Sequence, residues 1–180
     1  MIYFTGDQHF GHDNIRGYTN RPFPTVEKMN EALVTEWNKV VKLGDHIYHL
    51  GDFTLGDNAQ KYMGRLNGYL YILKIPWHHD HRWLRHESSL LTTLSGCIHF
   101  LGVEEVLQVT EPLGYIHLSH YPLAVWDRKH YGCAHLHAHS HGKHQGEDRI
   151  LDVGVDSVNK IWGSYRPVSL EEVVEYIEKR

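Results

Sequence analysis

The chain has 180 residues, of which 41% are hydrophobic and 22% charged, the size and composition of one globular domain with a real core. No apolar run approaches the roughly 18 residues of a membrane span, and no signal peptide is recognisable, so a cytoplasmic protein without a membrane partner is expected. With a net charge of −4 and no lysine- or arginine-rich run, tight nonspecific binding to nucleic acid is not favoured.

Hydrophobic periodicity predicts that strands and helices alternate in the first half of the chain. Strands are predicted at residues 2–5, 47–50 and 69–75, and helices at 26–42, 58–66 and 81–91. Thr25 is the expected N-cap of the helix at 26–42.

The second half is predicted to be richer in strands. Candidate strands cover residues 97–101, 105–109, 115–119, 133–136 and 150–153. A helix is predicted at 169–179, where Ser169 and Glu172 have the spacing of a capping box. With no internal repeat or linker, this order predicts one layered α/β domain over residues 1–180.

Histidine is over-represented, with 17 residues clustered near aspartates. Imidazole and carboxylate are the usual ligands of borderline divalent metal ions. These clusters follow predicted strands, and in α/β folds ligands bind at the carboxyl ends of strands. The two cysteines, Cys97 and Cys133, are expected to be reduced core residues.

The first candidates are aspartates at the ends of the first two strands. Asp7 and His9 are two residues apart, so in an extended loop their side chains would point the same way. That short pattern alone is common in ordinary loops. Asp52 follows the second strand, and its carboxylate can bridge two ions, whereas Asp45 is interpreted as a turn residue at the opposite end.

Histidines supply the remaining candidates. Four consecutive ionisable residues follow the third strand: His78, His79, Asp80 and His81. Four such side chains would be energetically costly in a turn without a function. His120 follows a later strand, where a lone histidine is more often structural. Four further histidines occupy every second position: His135, His137, His139 and His141. In an extended segment their side chains would all face the same side.

Taken in order, these loops resemble the calcineurin-like metallophosphoesterase superfamily, whose pattern is D-x-H, G-D, G-N-H-D, a lone H, and G-H-x-H. The resemblance covers the loops from residue 7 to residue 141. The phrases FTGDQHFGH, YHLGDF and YRPVSLEEV resemble small single-domain members from bacteria and phages. The resemblance implies a layered α/β sandwich with two mixed β-sheets flanked by helices.

The resemblance also implies roles for individual residues. Asp7, His9 and His141 would hold one metal ion, His120 and His139 a second, and Asp52 would bridge both. His79 would assist catalysis near the leaving group, and Asp80 would orient it. His12 and Arg82 would contact substrate phosphate, although surface or packing roles are equally expected of them.

The third motif departs from the family pattern. His78 stands in place of the asparagine ligand, and Trp77 in place of the glycine. Two alternatives stay open: His78 replaces the asparagine as a ligand, or the second metal is weakened, shifted or lost. Ala138 in place of the glycine before the last histidine pair is a mild change.

The predicted function is a dinuclear metal-dependent phosphoesterase that hydrolyses a phosphodiester or phosphomonoester by attack of a metal-bridging hydroxide. Two divalent ions are expected, with Mn favoured and Fe, Zn, Ni or Co as alternatives. The expected substrate is a small phosphoester or nucleotide. A metal-binding domain with impaired catalysis and a nuclease acting on nucleic-acid ends are the competing hypotheses, whereas the absence of HExxH and GxSxG disfavours a zinc peptidase and an acyl hydrolase.

Overall fold

The computed structural model describes residues 1–56, 58–75, 78–86, 91–144, 146 and 149–180. Within these residues the elements follow the order β1 (Ile2–Thr5), α1 (Ile15–Tyr18), α2 (Val26–Val40), β2 (His46–His49), α3 (Gln60–Met63), β3 (Tyr69–Leu73), α4 (His81–His86), β4 (His99–Leu101), β5 (Glu104–Gln108), β6 (Tyr115–Ser119), β7 (Ala134–His137), β8 (Ile150–Asp152), α5 (Val155–Trp162), β9 (Val168–Ser169) and α6 (Leu170–Glu178). No helix in this part of the chain is long and apolar enough to cross a membrane.

The strands form two mixed sheets. The first has the order β4-β3-β2-β1-β9, in which β1 to β4 are parallel and β9 is antiparallel to β1. The second has the order β5-β6-β7-β8, in which β5 is antiparallel to β6 and the others are parallel. Together with the helices, these sheets confirm the predicted layered α/β sandwich.

Alternating side chains of the first sheet enter two different cores. Tyr3 of β1 packs in the core that contains Leu33 and Trp37 of α2. Phe4, the next residue, lies in the core that contains Leu118 and Leu136 of the second sheet. The first sheet is therefore covered by α2 on one face and by the second sheet on the other.

The predicted helix starts are confirmed more closely than the predicted helix lengths, and most strand bounds shift by one or two residues. The Thr25 side chain accepts from the Lys28 amide, as expected of an N-cap, and the capping box of Ser169 and Glu172 is formed. The predicted helix at 58–66 is shorter because the amides of Arg65 and Leu66 donate to carbonyls three residues earlier, as in a tight turn. Residues 87–90 of the helix predicted at 81–91 lie outside the described residues.

Three elements were not predicted. Helix α1 has four residues, and β9 has two and exists through its pairing with β1. Helix α5 begins at Val155, and its N-cap residue, Gly154, has no side chain to cap it, so the usual start pattern is missing. The cysteine prediction is half right: both thiols are free, and Cys133 is buried, but Cys97 is exposed.

The carboxyl ends of the parallel strands meet along one edge of the sandwich. Gly6, after β1, forms an isolated bridge with Gly154, after β8, and accepts a hydrogen bond of 3.0 Å from the Val155 amide. The Ala138 amide, after β7, donates to the carbonyl of His120, after β6, at 3.0 Å. These links bring loops of both sheets together, as expected where strand ends of an α/β fold form a site.

Candidate metal centre

Three overlapping groups of histidine and aspartate side chains lie at this edge. The first donor set is Asp7, His9 and His141; the second is Asp52, His78, His120 and His139; the third is His9, His12 and His79. Within each set the candidate ligand atoms lie within 4.8 Å of one another. Each set can therefore hold a metal ion, because imidazole nitrogens and carboxylate oxygens at this separation can reach one cation.

Asp52 belongs to the second donor set and also faces His9 of the first. Its Oδ2 is 3.5 Å from Nε2 of His9 and 3.6 Å from Nε2 of His120. Its Oδ1 is 2.5 Å from Nδ1 of His78. The carboxylate therefore faces both sets, the position that a bridging ligand requires.

Several of these atoms are buried without a hydrogen-bond partner. Among the described residues, both carboxylate oxygens of Asp7, both ring nitrogens of His9 and Nε2 of His120 are in this state. Leaving buried polar atoms unsatisfied costs about 1–3 kcal/mol each, so native structures rarely tolerate several in one place. Bound cations would satisfy the Asp7 carboxylate, one ring nitrogen of His9 and Nε2 of His120, so the residues present fit a metal ion.

The electrostatics of Asp7 support the same interpretation. Burial raises the pKa of Asp7 well above its usual range, and the nearby carboxylates of Asp52, Asp152 and Asp156 raise it further. Burial also acts on Asp52, but the hydrogen bond with His78 and the surrounding histidines hold its pKa below the usual range. Concentrated negative charge of this kind is relieved by a cation.

The imidazoles are poised as neutral ligands. Burial lowers the pKa of His9 well below its usual range and that of His120 to about 4, so both rings are neutral near pH 7. Nδ1 of His120 donates to the Leu50 carbonyl at 2.8 Å. In a neutral ring that leaves a bare lone pair on Nε2, which faces the Asp52 carboxylate. Two facing lone pairs repel unless a cation lies between them.

Several residues of the site have a left-handed backbone conformation. Within the described residues, seven non-glycine residues have positive φ, and five of them are site residues: Asp7, His9, Asp52, His139 and His141. Such conformations are unfavourable for residues with a Cβ and cluster at functional sites. The expected extended alternation is therefore wrong for Asp7 and His9 and for His139 and His141, although the predicted ligands still converge. It holds for His135 and His137, which lie on β7.

Two glycines permit this close approach. A Cβ on Gly51, whose φ is +105°, would lie 2.8 Å from Ile75 and 2.9 Å from Nδ1 of His120. A Cβ on Gly154 would lie 2.4 Å from Oδ2 of Asp7. Only glycine leaves room for the buried carboxylate and imidazole at these two positions.

A buried ion-pair network supports the first donor set. Arg21 donates to both carboxylate oxygens of Asp156, at 2.9 and 2.8 Å, and to the carbonyls of Asp7 and Gln8, at 2.6 and 2.8 Å. Asp156 in turn accepts from Nδ1 of His141 at 2.6 Å, which leaves Nε2 of His141 for an ion. Although burial opposes it, the hydrogen bonds from His141 and Arg21 lower the pKa of Asp156 to about 2. Arg21 and Asp156 thus hold His141 and the left-handed Asp7 loop in place.

The predicted role of Asp80 does not match its surroundings. Among the described residues, its fully buried carboxylate accepts from the amides of Phe53 and Thr54 and from the indole N–H of Trp83. Asp80 therefore anchors the loop after Asp52 rather than orienting His79. Burial, helped by the nearby Asp52 charge, raises its pKa to about 6.

The remaining predicted residues lie at the edges of the site. His78 joins the second donor set, and His12 and the half-buried His79 lie with His9 in the third. Arg82 and His81 line a cavity of about 410 Å³ together with His78 and His79. Asp45 is an entrance residue, as predicted, and accepts from the Lys42 amide at 2.7 Å. Trp77 lies outside the described residues.

His135 and His137 do not reach the donor sets. They are buried on β7, and the ring of His135 lies next to those of His117 and His137, with centroids 5.5 and 5.7 Å away. We call His117, His135 and His137 the outer histidine row. Trp126 stacks on His135 with ring centroids 5.0 Å apart, so this row is covered by the segment between β6 and β7.

Sequence reasoning missed Arg21 and Asp156. Asp156 lies in the first turn of α5, a helix that was not predicted although Val155, Val158 and Ile161 have helical spacing. Recognising that helix would have placed an acidic residue in its first turn. Arg21 stands in an irregular segment and has no comparable pattern.

Comparisons with known proteins agree with the fold. No family model matches the chain. A solved structure of the protein of unknown function AQ665 from Aquifex aeolicus superposes with a TM-score of 0.67 at 21% identity, covering 98% of this chain and 99% of that one. The uncharacterized protein MJ1445 of Methanocaldococcus jannaschii is 32% identical over 190 residues, covering 99% of this chain and 92% of the relative. At that identity over nearly the whole length, the chain belongs to the family of MJ1445.

Proposed function

We propose that the chain is a metal-dependent phosphoesterase with two divalent ions. The observation that carries the proposal is the position of Asp52, whose Oδ2 lies 3.5 Å from His9 and 3.6 Å from His120, ligands of two different donor sets. The motif order resembles that of calcineurin-like metallophosphoesterases, and the fold is the layered sandwich which that resemblance implies. Mn²⁺ is the favoured ion, with Fe, Zn, Ni and Co as alternatives for this mixed donor set.

The donor sets divide the ligands between the ions. Asp7, His9 and His141 would hold one ion, His78, His120 and His139 the other, and Asp52 would bind both. When bound, the ions supply a nucleophile from water at neutral pH and stabilise negative charge on the phosphoryl oxygens. Arg21 and Asp156 keep the first set in position, and Asp80 keeps the Asp52 loop in position.

His79 is the residue best placed to act on the leaving group. It is half-buried, its ring centroid is 4.9 Å from that of His9, and it borders the cavity beside the second donor set. Burial lowers its pKa, so the ring is neutral near pH 7 and keeps one N–H. That N–H can donate to the oxygen that leaves phosphorus, a contribution of typically 10²–10⁴-fold for an alkoxide.

The deciding experiment measures hydrolysis after metal removal and reconstitution. The protein would be stripped with a chelator, reloaded with Mn²⁺, and assayed on bis(4-nitrophenyl) phosphate and on the matched monoester, with the other divalent ions in parallel. Metal-dependent turnover that Asp52→Asn abolishes and the exposed-site control Asp127→Asn retains is the expected result. Tight metal uptake without turnover would instead support the metal-binding alternative, which the histidine at position 78 favours.

Leaving-group dependence tests His79 separately. His79→Asn should slow hydrolysis of a diester with an alkyl leaving group far more than that of a 4-nitrophenyl ester, because nitrophenolate needs little protonation. Metal content should stay unchanged. An equal effect on both esters would remove His79 from leaving-group assistance.

A further inference from the structure

Two cavities border different donor sets. One, of about 410 Å³, is lined by His78 and His79, and the other, of about 300 Å³, is lined by His141. A phosphomonoester has one substituent on phosphorus, whereas a phosphodiester has two. Two cavities beside two donor sets therefore suit a diester. One substituent of the phosphorus, which we call an arm, would occupy each cavity.

The cavity beside His141 has the chemistry of an anion site. Besides His141 and Asp156, its wall is formed by polar and aromatic residues: Tyr18, Thr19, Asn20, Lys143, Asn159, Lys160 and Tyr165. The carboxylate in the wall, Asp156, is already paired with the Arg21 guanidinium and accepts a hydrogen bond from His141. The two ammonium groups therefore dominate the charge that a ligand would meet there.

Lys160 is held at the cavity wall. Its ammonium donates to the carbonyls of His141, at 2.9 Å, and of Gly142, at 3.3 Å. An ammonium has three N–H groups, so a third donor remains for an anion. Lys143 is exposed beside it and adds a second positive charge. Both lysines line the cavity beside His141, so an anion that occupies this cavity would meet their charge.

We propose, on the basis of the phosphoesterase function above, that the substrate is a nucleotide-like phosphodiester whose retained arm carries a second phosphate. Lys143 and Lys160 bind that phosphate, and Tyr18 and Tyr165 flank the planar or sugar part of the arm. The volume of about 300 Å³ lies at the small end of ligand sites and admits one nucleoside-sized group. The leaving arm occupies the cavity beside His79.

The reaction is a hydrolysis that needs no further co-reactant. Water adds to phosphorus, the P–O bond to the leaving arm breaks, and the leaving oxygen takes one proton. The products are an alcohol and a monoester that bears two phosphates. The first donor set and the lysine cavity then hold the doubly phosphorylated product.

The test compares chromogenic diesters that share 4-nitrophenolate as the leaving group. The Mn²⁺-loaded enzyme would be assayed with bis(4-nitrophenyl) phosphate and with the 4-nitrophenyl ester of thymidine 5′-phosphate, with and without a 3′-phosphate. The 3′-phosphate should lower KM by about tenfold or more, the effect of one good charged contact. Lys143→Ala should remove that gain, whereas Lys28→Ala, which changes an exposed lysine on α2, should retain it.

No gain from the 3′-phosphate, or a gain that survives Lys143→Ala, would overturn the proposal. Binding separates this failure from failure of the phosphoesterase function. Thymidine 3′,5′-bisphosphate would be titrated into the Mn²⁺-loaded protein by calorimetry. Saturable binding that Lys143→Ala weakens about tenfold supports the cavity assignment even if no ester is hydrolysed, and absence of binding refutes it.

Discussion

The donor sets and the outer histidine row are both rich in histidine, yet their surroundings differ. In the outer row, Nδ1 of His135 donates to the His117 carbonyl at 3.2 Å, and Nε2 accepts from the Leu123 amide at 3.1 Å. Both ring nitrogens are thereby used by the backbone. In the donor sets, by contrast, both nitrogens of His9 and Nε2 of His120 lack a partner among the described residues.

The difference shows that carboxylates and loop geometry, rather than the number of histidines, distinguish the two regions. His117 and His137 each have one buried nitrogen without a described partner. Among the described residues, however, neither belongs to a group of three candidate ligands. The outer row lies on regular strands, whereas His9, His139 and His141 of the donor sets have left-handed backbone, as do the carboxylate ligands Asp7 and Asp52.

The largest effect is expected from Asp52→Asn. Asparagine keeps the size but removes the charge shared by the first two donor sets, so metal binding should weaken at both. Turnover should fall at least about 10³-fold, roughly 4 kcal/mol of transition-state stabilisation. The number of metal ions per chain, measured by mass spectrometry after desalting, checks the predicted loss of metal binding. His135→Gln in the outer row is the control and should retain its metal; a full complement in Asp52→Asn would show that Asp52 is not shared.

Arg21→Met should have the next largest effect, on the free energy of unfolding. Its removal leaves the buried Asp156 carboxylate and the Asp7 and Gln8 carbonyls without their donor, which should cost about 3–5 kcal/mol. Urea denaturation of the metal-free protein measures the change. Arg65→Met, which breaks an exposed pair with Glu31, should cost less than about 1 kcal/mol. Equal losses would contradict the special role of the buried network.

Asp156→Asn should affect one donor set selectively. The substitution weakens the hydrogen bond that orients His141, so affinity at the first set should fall about 10- to 100-fold. The second set, which Asp156 does not touch, should bind as before. Stepwise metal titration monitored by calorimetry resolves the two events, with the exposed Asp127→Asn as control. Equal weakening of both steps would argue against selective support.

The smallest predicted effect is a change in the pH dependence of stability. Burial lowers the pKa of His135 to about 3, whereas the unfolded value is about 6.5. Between these values the unfolded state binds a proton that the folded state does not, so His135 lowers stability as pH falls below about 6.5. The free energy of unfolding should fall less between pH 7 and pH 5 in His135→Gln than in the unchanged protein, by about 2 kcal/mol. Urea denaturation of the metal-free protein measures this difference. An unchanged difference would mean that His135 titrates normally when folded.

Much of the fold was predictable because its elements carry local patterns. Strands β1 and β6 have their predicted bounds, and α2 and α6 begin at their predicted caps. Helix α5 lacked a capping side chain, and β9 exists through its pairing with β1. Pairing partners are remote in the sequence, so neither periodicity nor propensity indicates a two-residue strand.

The sequence by itself determined the ligand types and their order along the chain, because imidazole and carboxylate are needed whatever the fold. Only the tertiary structure decided which of them meet. His139 and His141 have left-handed backbone and belong to different donor sets. His135 and His137 come from the same alternating run but lie on β7. Arg21 donates to Asp156, although the two residues are 135 positions apart. Asp80, which follows β3, accepts a hydrogen bond from the Phe53 amide in the loop after β2. Such contacts depend on how the two sheets pack, which no local spacing encodes.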